Sequence, residues 1–527
     1  MDNLVVILLV IVGILAYVSL MTYLSRRKIL EKYNMSSWYG FIMWRTGRGR
    51  AFVDLLARPK RFWRGYAALG KAICLVVMIG IMALLIWEAS LVTNIPADQA
   101  PTLDMLVGLP GINPLIPLWY GILALAVGVA VHEIGHGIMS RVAGMKIKSM
   151  GLLLFIFPVG AFVEPDEEAL VKADKKTRTS IYAAGPATNI VLALFCAFIF
   201  STVMVGSAEV AHDGPVLTTV YDGTPAEMGG LRTGYQIVAI NGTPVSYGDL
   251  YDFAAPAPGS SMSLTYYYQG EEFTTNVSSG IVVLSISEGL PAAESGLRAG
   301  MIIYSIKGTV IHNEGDFRTV LSELTPGETY ELAALQYDAA TSSYVASDVT
   351  NITPANRAEY VSGGANMAYL GVTSLYLGAG IADPEAILSS MAHPFAGADS
   401  LGDFFSGSLH YIAMPFSGLQ PLDGPYRDIF VPGGIFAGWD NDVFWVTANC
   451  FYWIFWISLM LGMTNALPAV PLDGGYLFRD WIDSIIRKAR KGLSEEERER
   501  YVSSITYVFI MLVVFLIAWQ LIGPRLF

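Results

Sequence analysis

Pro114-Leu-Ile-Pro-Leu-Trp-Tyr-Gly-Ile-Leu-Ala-Leu-Ala-Val-Gly-Val-Ala-Val-His132-Glu133-Ile134-Gly135-His136-Gly137 is the stretch that decides how this chain is read. Leu115 to Ala130 carries no charge, and a bilayer is crossed by a helix of about 20 largely apolar residues. The same run ends in two imidazoles and a carboxylate. His at i and i+4 share one helix face, one turn apart, at a spacing that suits Zn²⁺, and the Glu beside them is placed to act as a general base. Ionisable groups at membrane depth are costly and usually functional. The chain has six His, and 132/136 is the pair at helical spacing, which makes chance a weak explanation. Zinc needs a third protein ligand and an open position. No third His follows within a turn or two, so Asp473 is the best acidic candidate, in Leu472-Asp473-Gly474-Gly475 at the end of a second apolar run.

Two further strings belong with the first. Gly185-Pro186-Ala187-Thr188-Asn189 opens the next apolar segment. Asn465-Ala-Leu-Pro468-Ala-Val-Pro471-Leu472-Asp473-Gly474-Gly475 leads into the candidate acid. Together the three resemble the signatures of the site-2 protease family of intramembrane zinc metalloproteases, over roughly 114–206 and 443–490. The resemblance implies zinc held by His132, His136 and Asp473, with Glu133 as the catalytic base. It implies Asn465 as a partner of the scissile carbonyl, and membrane-spanning protein segments as substrates in regulated proteolysis. Pro468 and Pro471 cannot continue a helix, and irregular backbone at membrane depth is tolerated where protein or water surrounds it. Pro421-Leu422-Asp423-Gly424 repeats the Pro-Leu-Asp-Gly string. It lacks the Asn-x-x-Pro lead and a long apolar run before it, so Asp423 is set aside in favour of Asp473.

The composition, 53% hydrophobic and 15% charged over 527 residues, excludes an ordinary soluble enzyme and predicts a multi-span α-helical membrane protein. Six runs are long enough: about 3–23, 71–92, 114–140, 180–205, 443–475 (carrying the third ligand) and 503–522. The first lacks a basic leader and a small-residue cleavage site, and is read as a retained anchor. Residues 24–66 hold 11 Lys and Arg against two acids, while 141–178 and 476–502 are also basic. The positive-inside rule places these three segments on the cytoplasmic side. His136 and Asp473 then fall at the same, cytoplasmic end of their helices. Residues 207–440 hold 25 acids and six bases, which argues against nucleic acid as a partner and suits a solvated extracytoplasmic domain. None of the three Cys lies in that domain, so no disulfide framework is expected.

The short apolar segment 150–165 cannot span; it fits a re-entrant loop or β-hairpin against the site. From 214 to about 340 the chain repeats itself at an offset of 66 residues. Gly223-Thr-Pro225-Ala226 matches Gly289-Leu-Pro291-Ala292, and Gly230-Leu231-Arg232-Thr-Gly234 matches Gly296-Leu297-Arg298-Ala-Gly300. The shared pattern resembles PDZ domains of the type found in proteases, which predicts an inserted α+β module of two PDZ-like domains, 214–280 and 281–340. Such domains bind peptides by strand addition; here a peptide ligand and a steric gate are equally open. Residues 350–442 stay unassigned and 487–502 reads as a charged surface helix. The expected protein is an intramembrane zinc endopeptidase of the cell membrane, with the bilayer and membrane-spanning proteins as partners. A non-catalytic scaffold is disfavoured by Glu133, and a transporter by the lack of an evident inverted repeat.

Overall fold

The computed structural model describes residues 3–38, 41–46, 49–95, 100–106, 108–154, 158–251, 255–360, 365–416 and 426–526. The chain divides into two compact units, Met1–Phe200 with Ala448–Phe527, and Ser201–Thr447.

The first unit is helical. Its elements are α1 (Asn3–Arg26), α2 (Lys60–Leu91), α3 (Leu118–Val142), α4 (Lys175–Tyr182), α5 (Ala184–Phe198), α6 (Asn441–Asn465, shared with the second unit), α7 (Asp473–Ala489) and α8 (Glu495–Ile522). Five stretches among the described residues are long and apolar enough to cross a membrane: Lys60–Leu91, Leu118–Val142, Lys175–Ser207, Asn441–Asn465 and Glu495–Arg525. The expected first span, 3–23, is helical as α1 but is not among the five. The outward faces of α2 and α8 expose Val76, Ile79, Val508 and Phe515, an apolar surface that lipid covers and water would not.

Two expectations need correction. The span predicted over 443–475 ends at Asn465, and Asp473 opens a separate helix, α7. Pro468 and Pro471 lie between them, where neither can donate to a helical ladder. The surface helix predicted over 487–502 is split: α7 stops at Ala489, and Ser494 with Glu497 forms a capping box that starts α8. The charged stretch after Ser494 is therefore the first part of the last span.

The segment 150–165 is a hairpin, β3 (Ile147–Leu154) and β4 (Pro158–Pro165), with its tip outside the described residues. The basic 24–66 stretch adds two strands to it, β1 (Met35–Trp38) and β2 (Phe41–Thr46), giving an antiparallel sheet in the order β1-β2-β3-β4. Ion pairs fix α7 to its neighbours. Arg178 of α4 meets both oxygens of Asp480, at 2.7 and 3.3 Å. Lys175 pairs with Asp483, which also takes Arg498 Nε of α8 at 2.8 Å. Leu477 and Trp481 of α7 pack against Cys74, Ala183 and Ala187.

The second unit holds two sheets of one plan. The first runs through β5 (Val216–Val220), β6 (Gln236–Ile240), β7 (Ser261–Tyr268) and β8 (Glu271–Ser278). The second runs through β9 (Ile281–Ile286), β10 (Ile302–Ile306), β11 (Tyr330–Asp338) and β12 (Ser343–Ala346). Each is completed from the region left unassigned in sequence, by β13 (Val372–Tyr376) and β14 (Ala379–Ala382). The orders are β8-β7-β6-β5-β14 and β12-β11-β10-β9-β13. Boundaries at 280 and 340 therefore omit β14 from the first sheet, and both β12 and β13 from the second. The completing contacts also obey the 66-residue offset. Ala226 and Ala292 donate to the carbonyls of Leu377 and Leu370, and Tyr221 and Ser287 to those of Gly378 and Gly371. Gly371 and Gly378 take positive φ, and a Cβ on either would meet Leu290 or Thr224 within 2.5 Å. Tyr376 packs against both cores and its hydroxyl lies 3.0 Å from Ser279 Oγ.

Candidate metal centre

His132, Glu133 and His136 lie on α3, which packs on α5 at near-backbone distance. A Cβ at Gly135 would stand 2.8 Å from Thr188 Oγ1 and 3.0 Å from the Ala184 carbonyl oxygen, the kind of small-residue contact that lets membrane helices approach. Asp473 comes from the first turn of α7. The loop before it folds back over that turn so closely that a Cβ on Gly474 would meet the Ala466 carbonyl at 2.2 Å, and one on Gly475 the Val470 nitrogen at 2.4 Å. The two glycines are thus what lets the proline-broken loop deliver Asp473.

The structure brings His132, His136 and Asp473 together. Asp473 Oδ2 stands 3.1 Å from His132 Nε2 and 3.1 Å from His136 Nε2, and the two nitrogens are 3.2 Å apart. Among the described residues this is the His/Cys/Asp/Glu group that can hold a metal ion. Ligand atoms at about 2.0–2.1 Å from a tetrahedral zinc stand roughly 3.3–3.4 Å apart, so the spacing fits zinc to within a few tenths of an ångström. Two nitrogens and a carboxylate oxygen are also a zinc donor set. Gly185 supplies the clearance: a Cβ there would lie 2.4 Å from His136 Nε2 and 2.6 Å from His132 Nε2, on the ligand atoms themselves. Burial works against an ionised Asp473, but the charges and hydrogen bonds of His136 and His132 outweigh it and hold the carboxyl well below the usual carboxylate range.

Partners behind the imidazoles orient them. His136 Nδ1 lies 2.8 Å from the Ile181 carbonyl; as a donor there, it leaves the Nε2 lone pair for a metal. His132 is 8% exposed, and its Nδ1 faces the side-chain amide of the fully buried Asn189 at 3.3 Å. Glu133 stays outside the ligand cluster. Its Oε2 accepts from the Val163 backbone N–H of β4 at 2.9 Å. Asn465 is not in the cluster either: it ends α6 half-buried, and its amide donates to the Leu461 carbonyl at 3.0 Å. Asp423 lies outside the described residues. Sequence reasoning quoted Gly185 and Asn189 as a motif without seeing that one clears the ligand atoms and the other backs His132. Val163 and Ile181 contribute backbone atoms, which leave no mark in a sequence.

The fold and the cluster together define an integral membrane protein with a His-Glu-x-x-His centre completed by an aspartate. The model of peptidase family M50, the site-2 protease family, matches residues 120–513, and the chain belongs to that family. It is 33% identical to the uncharacterized protein MJ0971 of Methanocaldococcus jannaschii, over 34% of this chain and 49% of that protein. It is 25% identical to a "Putative zinc metalloprotease" of Rickettsia conorii, over 34% of this chain and 59% of that protein. It is 26% identical to one of Agrobacterium fabrum, over 29% and 50%. The chain spans about half the length of the curated relatives it matches.

Proposed function

We propose that this protein is an intramembrane zinc endopeptidase. The observation that carries the reading is the meeting of His132, His136 and Asp473 within 3.2 Å of one another, with Glu133 on the same helix but outside the ligand set. His132, His136 and Asp473 would hold the metal, and bound zinc supplies Lewis acidity, acidifying water and polarising a carbonyl. Glu133 takes the proton of the attacking water and returns it to the leaving amide nitrogen. Asn465, at the end of α6, is a partner for the scissile carbonyl. The substrate is a membrane-spanning protein segment, locally extended. β4 is the last strand of its sheet and offers its outer side to Glu133 through the Val163 amide, an edge to which an extended chain can add. The basic segments support a zinc site toward the cytoplasm, and the excess of acids over 207–440 supports an extracytoplasmic domain.

The two repeat sheets are, in this reading, tandem PDZ-like domains that select substrate, either by size or by capturing a peptide. Removing 214–382, both sheets with their last strands, separates these. A size filter predicts gained cleavage of substrates that keep a bulky ectodomain, and a peptide receptor predicts slower cleavage of trimmed ones.

The test of the central reading is Glu133→Gln in purified protein, with zinc measured by elemental analysis and cleavage measured on a single-span substrate. Zinc is retained, while turnover falls by about 10²–10⁴-fold. Near-normal cleavage by this variant ends the proposal.

A further inference from the structure

Asn189 stands at one end of the metal cluster with an unusual balance of contacts. It lies on α5, is fully buried, and its Nδ2 is 3.3 Å from His132 Nδ1. Its Oδ1 is buried with no hydrogen-bond partner. If the amide donates to Nδ1, the imidazole proton sits on Nε2, pointing at Asp473 and His136, and His132 cannot ligate. If the amide is turned so that Oδ1 accepts from Nδ1–H, the Nε2 lone pair is free for a metal. The two ends of an amide are nearly the same size, so either orientation fits the space. Since Oδ1 finds no other partner there, the amide's orientation is set by the imidazole it faces. His136 has no such choice, because a carbonyl can only accept.

We propose, resting on the zinc-site reading above, that Asn189 is the positioning residue for His132: its amide oxygen accepts from Nδ1–H and fixes the tautomer and ring orientation in which Nε2 ligates. Outer partners of a ligating His typically contribute 10–100-fold in metal affinity. The role makes distinct demands on two isosteric replacements. Aspartate accepts in either orientation; leucine accepts in neither.

The experiment uses full-length protein in detergent. Apparent zinc affinity is measured by competition with a chromophoric chelator, and the visible absorption of the cobalt-substituted site reports ligand geometry. Asn189→Leu is expected to lose zinc affinity by about 10–100-fold and to alter the cobalt spectrum, whereas Asn189→Asp keeps both. An Asn189→Leu variant within twofold of the parent, with an unchanged spectrum, overturns the proposal. So does Asn189→Asp weakening zinc as much as leucine does, which marks a packing role. If Asn189→Leu does not fold, the outcome for Asn189→Asp decides alone. His136→Ala is the control: zinc retained there overturns the metal-site reading itself, whereas zinc lost there with Asn189→Leu unaffected overturns the role of Asn189 only.

Discussion

Both units are closed by a segment from far along the chain, but with different atoms. In the helical unit the late arrival at the site is one carboxylate, as Asp473 meets imidazoles on α3. In the β unit it is backbone, as β13 and β14 add to β9 and β5. A side chain can be removed from a site while its helices keep their ladders. A strand removed from a sheet leaves a row of unpaired N–H and C=O groups. The helical unit thus allows chemistry to be lost without fold, and the β unit does not.

Gly185→Ala tests that separation most sharply. A methyl group set on the two Nε2 atoms should cut zinc retention by at least about 100-fold, beyond the loss from an outer partner. Alanine in a helix is favoured over glycine by about 1 kcal/mol, so thermal unfolding should not fall. Full zinc content in the purified variant breaks the argument. Next in size is Gly371→Val, or Gly378→Val, which adds Cβ clashes at a positive φ. Strain of this kind costs about 1–3 kcal/mol. Limited proteolysis should cut within 214–382 faster than in the parent while zinc stays bound. Zinc lost together with the sheet would show that the two units are not separable. The smallest effect is expected from Asp423→Asn, with zinc unchanged and stability within about 0.5 kcal/mol. Asp473→Asn in the same assay loses the metal. Equal loss from both would remove the distinction between the two Pro-Leu-Asp-Gly strings.

The residues of the cluster are legible because each sits in a local pattern, and the resemblance of those patterns to one family joins Asp473 to His132 and His136 across the chain. His132 and His136 need only the helical period, and Pro468, Pro471 and Gly474 mark where a helix must stop and turn. What escaped was long-range. The strands that complete the repeats lie far from them in sequence, and their signal is a second repeat, Tyr369-Leu370-Gly371 and Tyr376-Leu377-Gly378, at an offset of seven. It is too short to stand out without the sheets it serves. The break at 490–494 escaped for another reason: the charged run looks continuous, and only Ser494 with Glu497 marks a new helix start.

The arrangement of β13 and β14 sets an order of events during synthesis. Val220 waits for Ala379 and Val283 for Ser374, so the second copy lacks its last strand until residue 376 has left the ribosome, and the first until residue 382. Long-range pairing of this kind is slow, and exposed strand edges invite misassembly meanwhile. Two copies that read as successive beads therefore mature within a few residues of each other, the later one in sequence first, and a nascent chain stalled before 370 carries two unfinished edges.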